Sequence, residues 1–321
     1  MSHSTTTPAG LKSRSIVDLP FSAWRAILMR TFADIGQHNI PLIAGGAAFF
    51  LFLALFPAIA AFVALYGLVL DVSAVQNQMA SLSGVLPDTA IEIIDNRLTE
   101  VASSNNNALG IGFIAGLAFA LWSAHGGVKA LIAALNIIYR EDEDRGFLKL
   151  TAVSLFFTVC AILGAATLVA AVVFVPVAVN AIGLGDRQDL LLTALRWPIL
   201  FVVLVAGTSL LFRYCASRRP PRWKWVVPGS VVAAVLWVAA SALFSFYLSN
   251  FARFDATYGS LGAIIGFMMW LYLSLLILLL GAELNAEIEH QLLTDTTVGP
   301  DRRLGNREAY VADHVAGSQR S

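Results

Sequence analysis

The chain has 321 residues, 58% of them hydrophobic and 13% charged. Soluble domains carry about 25% charged residues, and those charges cover much of the surface that meets water. The composition therefore excludes an ordinary water-soluble globule and makes lipid the expected solvent. Lys+Arg and Asp+Glu number 21 each, so net charge is uninformative and the placement of charge carries the information.

Residues 1–17 are polar and read as a disordered amino-terminal tail, with no apolar core ahead of a small-residue cleavage site and hence no cleaved signal peptide. Asp18 is placed to cap a helix that has Pro20 in its first turn. Phe21, Trp24, Leu28, Phe32 and Ile35 then recur at helical spacing, with Arg25 and Arg30 between them. That pattern predicts an interfacial amphipathic helix leading into the first span. A span needs about 20 mostly apolar residues, and charges divide the chain into runs of that size. The predicted spans cover residues 42–70, 107–127, 150–179, 190–212, 226–250 and 259–282. The fourth is interrupted by Arg196, whose side chain can reach the headgroups beside Trp197. The segment between the first two spans carries two short amphipathic stripes around Pro87.

Orientation follows from the basic residues. With six spans, the amino-terminal segment, the second and fourth loops and the tail hold seventeen Lys and Arg, against four in the three intervening loops. The basic set marks the cytoplasm, so both ends are expected there. The fold class is thus all-α: a six-helix membrane domain over 18–290, with a disordered cytoplasmic tail over 291–321 that lacks apolar periodicity. Cys160 and Cys215 read as small buried hydrophobes, not a disulfide framework. "LGIGFIAG" from Leu109 and "LGAIIGFM" from Leu261 both precede a Leu-Asn pair, at unequal spacings that fit chance better than duplication.

No phosphate loop, His-Glu-x-x-His or Gly-x-Ser-x-Gly occurs. No catalytic residue, metal site or cofactor is therefore expected, and the chain reads as a non-enzyme. The polar groups near membrane depth are the candidates for a substrate path or gate, because each is costly there. His125 and Lys129 flank Gly126-Gly127 near the inner end of the second span. Either the helix breaks there and lines a cavity, or the span stops at Gly126 and a surface helix runs over 128–139; the second reading is favoured. Glu283 and Asn285 close the sixth span, and Glu283 reads either as a solvated end or as the partner of Arg213 or Lys129 in a clamp or gate. Asn136 belongs to the first Leu-Asn pair. Asp255 and Tyr258 lie in the short outer turn, where Asp255 pairs with Arg253 or the turn meets a headgroup. Pro57 and Pro176 should kink their spans. Small-residue faces such as Gly112/Gly116 and Gly262/Gly266 suit close helix packing.

Three stretches together carry a resemblance: "AAFFLFLALFPA" from Ala47, "ALWSAHGGVKALIAALNIIYRE" from Ala120, and the run from Pro228 containing Tyr258-Gly259-Ser260 and Gly281-Ala282-Glu283-Leu284-Asn285. The chain resembles the YihY/virulence factor BrkB family of bacterial inner-membrane proteins over about residues 20–290. In that family the first span often carries Tyr where Phe50 stands here. The resemblance implies multi-pass insertion in the cytoplasmic (inner) membrane. Members were long labelled ribonuclease BN, some are linked to serum resistance, and others have been proposed to move lipids or solutes. The expected function is a transporter or lipid-handling protein of unknown substrate, ahead of a structural or assembly protein and well ahead of a ribonuclease. Expected partners are membrane lipids, a small solute or lipid substrate and a second copy of the chain, with no nucleic acid.

Overall fold

The computed structural model describes residues 16–69, 106–161, 163–164, 188–250 and 261–316. Among them the fold is all-helical, apart from one isolated bridge between Pro221 and Thr297. After a 3-10 turn at Ile16–Asp18, the helices are α1 (Phe21–Gln37), α2 (Ile40–Val69), α3 (Asn106–Tyr139), α4 (Phe147–Ala161), α5 (Gln188–Tyr214), α6 (Trp223–Asn250), α7 (Leu261–His290) and the short α8 (Tyr310–Asp313). Two stretches within α6 and α7, Trp223–Leu248 and Ile264–His290, are long and apolar enough to cross a membrane. The bent pair α1 and α2 makes a third if it counts as one span. At about 1.5 Å per residue, each of the two exceeds the roughly 30 Å of a hydrocarbon core.

The outward faces explain why lipid suits this chain. Phe156 on α4, Val202 on α5, Leu243 and Phe246 on α6, and Phe32 on α1 are all exposed. A soluble monomer rarely tolerates so many. Cys160, expected to be buried, is exposed on α4, where an apolar outward face suits a thiol; Cys215 is buried.

The chain forms two compact units, one of Met1–Ala44, Leu131–Ser241 and Ser274–Ser321, the other of Gly45–Ala130 and Ala242–Leu273. In the first, the core joins Leu19, Ala23 and Ile27 to Trp225 and to Leu284, Ile288 and Leu292. The last three recur at i, i+4 and i+8, one stripe of a helix. The predicted apolar stripe of α1 faces outward instead, with Phe21, Leu28 and Phe32 exposed, as an interfacial helix requires. Its opposite face, Ala23, Ile27, Thr31 and Asp34, is the buried one.

α6 and α7 touch backbone to backbone. A Cβ on Gly229 would lie 2.1 Å from the Gly281 carbonyl oxygen, and one on Gly281 would lie 2.7 Å from the Gly229 oxygen. Pro228 has no N–H to give, and the next N–H, of Gly229, donates to Asn285 Oδ1 at 2.8 Å. Asn285 Nδ2 donates to the Val226 carbonyl at 2.8 Å. Asn285 is therefore a bracket holding α7 to the first turns of α6.

α3, which lies in the second unit as far as Ala130, runs unbroken through Gly126 and Gly127. This corrects the expected stop at Gly126 and the alternative break. The glycines serve packing: a Cβ on Gly127 would lie 2.7 Å from Leu51 Cδ2, and one on Gly126 3.3 Å from the Phe50 ring. α2 is helical through Pro57, while Pro176 lies outside the described residues.

The tail also corrects the sequence reading. Residues 291–316 follow a defined, hydrogen-bonded path rather than being disordered. Arg219 N–H donates to the Glu308 carbonyl, Arg222 N–H to Thr296, and Val298 N–H to Pro220. Arg307 donates to the carbonyls of Leu293 and Ala312 at 2.6 Å each. Tyr310 N–H donates to Glu141 Oε1 at 2.7 Å. These bonds are long-range and use backbone groups, so residue periodicity does not reveal them. Burial would raise the Asp295 carboxyl. Hydrogen bonds from the Arg302 and Thr297 N–H groups and the Thr297 hydroxyl, with the charge of Arg307, outweigh that and hold it below the usual carboxylate range.

Two outcomes follow. Gly229→Ala forces α6 off α7 and lowers the thermal midpoint of the detergent-solubilised protein by an amount matching about 3 kcal/mol. Gly207→Ala, where nothing lies within 4 Å of the new Cβ, leaves the midpoint unchanged or higher. A depressed carboxyl stabilises fully above its unfolded pKa, and that contribution is lost as pH falls through the lower folded value. Amide protection over 295–307, corrected for intrinsic exchange, should therefore drop below about pH 4. In Asp295→Asn it should already be low at neutral pH.

Candidate functional site

Beside the apolar stripe of α7 runs a polar one with the same period: Glu283, Glu287 and Gln291. Opposite it, α1 carries Arg30, Asp34 and His38, also four residues apart. The helices run antiparallel here, so the lower number on one meets the higher on the other. Arg30 pairs with Glu287 and donates to Gln291 Oε1 at 2.7 Å. His38 Nδ1 lies 3.0 Å from Glu283 Oε2. His290 Nδ1 lies 3.2 Å from Glu287 Oε1.

Arg140 joins from the end of α3. Its Nη2 lies 3.3 Å from Asp34 Oδ2 and 3.9 Å from Glu287 Oε1. Its backbone is left-handed, with φ 57°. Arg140 N–H donates to Ile137 and Glu141 N–H to Asn136, a helix-ending pattern that usually places glycine at this position. A side chain there costs about 1 kcal/mol in backbone strain. The guanidinium aimed between two carboxylates is what offsets that cost.

The acids of this ladder are deeply buried: Glu283 is 0% exposed, Glu287 2% and Asp34 6%. Three carboxylates face two guanidiniums, and both guanidiniums contact Glu287. Glu283 has only His38, and its Oε1 makes no hydrogen bond. The three side chains Asp34, His38 and Glu283 bring one ligand atom each within 4.8 Å of one another. Sequence reasoning expected no metal site because it weighed histidines alone.

A second buried pair lies nearby. Arg218 Nη1 and Nη2 donate to Glu289 Oε2 at 2.9 and 3.0 Å, and the guanidinium lies 3.9 Å from the Tyr139 ring centre. Thr296 donates to the other Glu289 oxygen. At the loop after α3, burial would raise the Glu143 carboxyl, but hydrogen bonds from Arg145 and Asn136 hold it below its ordinary value. Burial pushes the Cys215 thiol up to about 12, which leaves it un-ionised and a poor nucleophile.

Of the residues singled out from sequence, Glu283 lies in the ladder. It meets His38, not Arg213, which corrects the expected clamp. Arg213 packs its guanidinium 4.5 Å from the Trp223 ring centre and 5.2 Å from that of Tyr214. Asn285 and Asn136 are brackets. Asn136 Oδ1 accepts from Ser217 N–H at 2.8 Å, and its Nδ2 donates to Glu143. His125 is buried and Lys129 half-buried on α3, in the second unit. Asp255 and Tyr258 lie outside the described residues. Arg30, Asp34, His38 and Arg140 were missed. The signal that finds them is the shared spacing of four on α1 and α7.

The family model described as Virulence factor BrkB matches residues 31–304. The chain belongs to this family. Among BrkB-like relatives, "Putative ribonuclease-like protein YfkH" of Bacillus subtilis is 35% identical over 208 residues, 62% of this chain and 73% of the relative. "UPF0761 membrane protein PSHAa0171" of Pseudoalteromonas translucida is 27% identical over 294 residues, 89% and 91% of the two chains. A further UPF0761 membrane protein, from Idiomarina loihiensis, is 28% identical over 222 residues, 67% and 73%. No solved structure matches the chain. Membership agrees with the apolar helices in making this a membrane protein.

Removing one partner of a buried pair leaves a charge stranded, whereas replacing both with apolar groups is often neutral. Arg30→Met should therefore destabilise, by less than the roughly 3 kcal/mol of an isolated buried pair, because Arg30 is 30% exposed and Arg140 and His290 also contact Glu287. Arg30→Met with Glu287→Met should recover most of it, read as thermal midpoints of the two variants.

Proposed function

We propose that this BrkB-family protein is a transporter or lipid-handling protein of the bacterial inner membrane, with six spans and both ends cytoplasmic. The charge ladder would be its inner gate or coupling element. The supporting observation is the burial of Asp34, Glu283 and Glu287 where α1 packs on the polar end of the apolar helix α7. Ionisable groups buried at such a place are costly and mark substrate or ion pathways by default. The long helices α2, α3 and α5 (30, 34 and 27 residues) support a count beyond the two fully described spans. The basic residues of the loop after α5 support the cytoplasmic assignment.

The assembly reading draws no support from a further small-residue pair: the Gly229–Gly281 approach is used inside the chain rather than offered to a partner. A ribonuclease reading needs basic side chains presented to RNA. Arg218, Arg222 and Arg307 are instead engaged with Glu289 and with tail carbonyls.

Native mass spectrometry of protein released gently from membranes should find a specific lipid or solute retained. Arg140→Gln, which disturbs the ladder from its partly exposed side, should reduce that occupancy. Bulk lipid alone, in membrane proportion, would move the weight to a scaffold role.

A further inference from the structure

Counted in guanidiniums, the ladder has two for three carboxylates, and Glu283 is the carboxylate left with an imidazole alone. Arg30 and Arg140 both contact Glu287, while Arg140 reaches Asp34 only at 3.3 Å. Glu283 is fully buried, has no guanidinium, and keeps Oε1 without a hydrogen bond. An ionised carboxylate in that position needs a cation beside it.

We propose that Asp34, His38 and Glu283 form a binding site for a divalent transition cation of the Zn2+ or Mn2+ type. The donor set decides the class. An imidazole nitrogen with two carboxylates suits Zn2+ and Mn2+, whereas Mg2+ and Ca2+ prefer oxygen alone. The spacing also fits. An ion with bonds of about 2.1 Å holds neighbouring ligands about 3.0–3.4 Å apart, and His38 Nδ1 already lies 3.0 Å from Glu283 Oε2. The three atoms lie within 4.8 Å of one another, so small rotamer changes bring them round one centre. Asp34 and His38 stand one turn apart on α1, and Glu283 comes from α7, so the ion would staple the two helices. Three protein ligands leave a position open for water or a substrate group. The inference does not depend on the transport reading, since a staple would serve a scaffold equally.

The test uses the full-length protein in detergent, with any affinity tag removed, after chelator treatment. ZnCl2 and MnCl2 are titrated separately by calorimetry, and metal content is measured after desalting. One ion per chain is expected for at least one of the two. His38→Gln and Glu283→Gln should each weaken binding by at least about tenfold, while His314→Gln on the tail should bind as wild type. If Glu283→Gln does not fold, pulsed EPR of the Mn2+-loaded wild type replaces it and should show coupling to one imidazole nitrogen that His38→Gln lacks. No stoichiometric uptake of either ion by the wild type would overturn the proposal and leave a proton as the balancing charge. Unchanged binding in His38→Gln, or binding lost in His314→Gln, would overturn it as well. Transport is read by ligand retention and this site by metal content, so the two can fail separately.

Discussion

The described structure of the first unit depends on one antiparallel contact, α1 lying along the polar end of α7. Two stripes on α7, each with a period of four, meet two on α1. Leu284, Ile288 and Leu292 give the apolar seam, and Glu283, Glu287 and Gln291 the charged one. The seams are neighbours because consecutive positions on a helix are about 100° apart. Apolar burial supplies the attraction, and ion pairing sets the register. A shift of one turn along the axis would still set apolar side chains against one another but put each carboxylate opposite the wrong partner.

Around that contact, polar side chains tie the neighbouring elements together. Arg140 closes the ladder from α3, Asn285 holds α7 to α6, and Asn136 joins α3 to the loop after α5. The tail then threads back along the basic loop. Arg218 and Arg222 of that loop hook Glu289 and a tail carbonyl.

Much of the architecture was legible in the sequence. Charge-free runs located the long helices, and the Phe21–Phe32 stripe announced the outward face of α1. The direction in which α5 turns Arg213 was not legible, nor were contacts made at a distance in the chain, and the misjudgements came from these. Arg213 and Glu283 have opposite charges and were assigned to one side of the membrane, yet Arg213 turns to Trp223. Gly126-Gly127 looked like a break, because a glycine pair reads alike whether it ends a helix or admits a neighbour's Leu51. The tail looked disordered because its order comes from backbone groups of the 215–222 loop. Asn136 and Asn285 looked like polar groups in search of a substrate, when their amides were already spent, on two loops and on the first turns of α6.

The ladder also bears on synthesis. Arg30 and His38 meet partners 257 and 245 positions later in the chain. At ribosomal speeds of about 5–20 residues per second, α1 emerges well before α7. For that interval its charges are without the partners that α7 brings. The first helix of the chain is thus among the last to find its place. A nascent chain that stalls before α7 would display an unpaired row of charges at the membrane surface, a mark by which quality control could tell an unfinished molecule from a finished one.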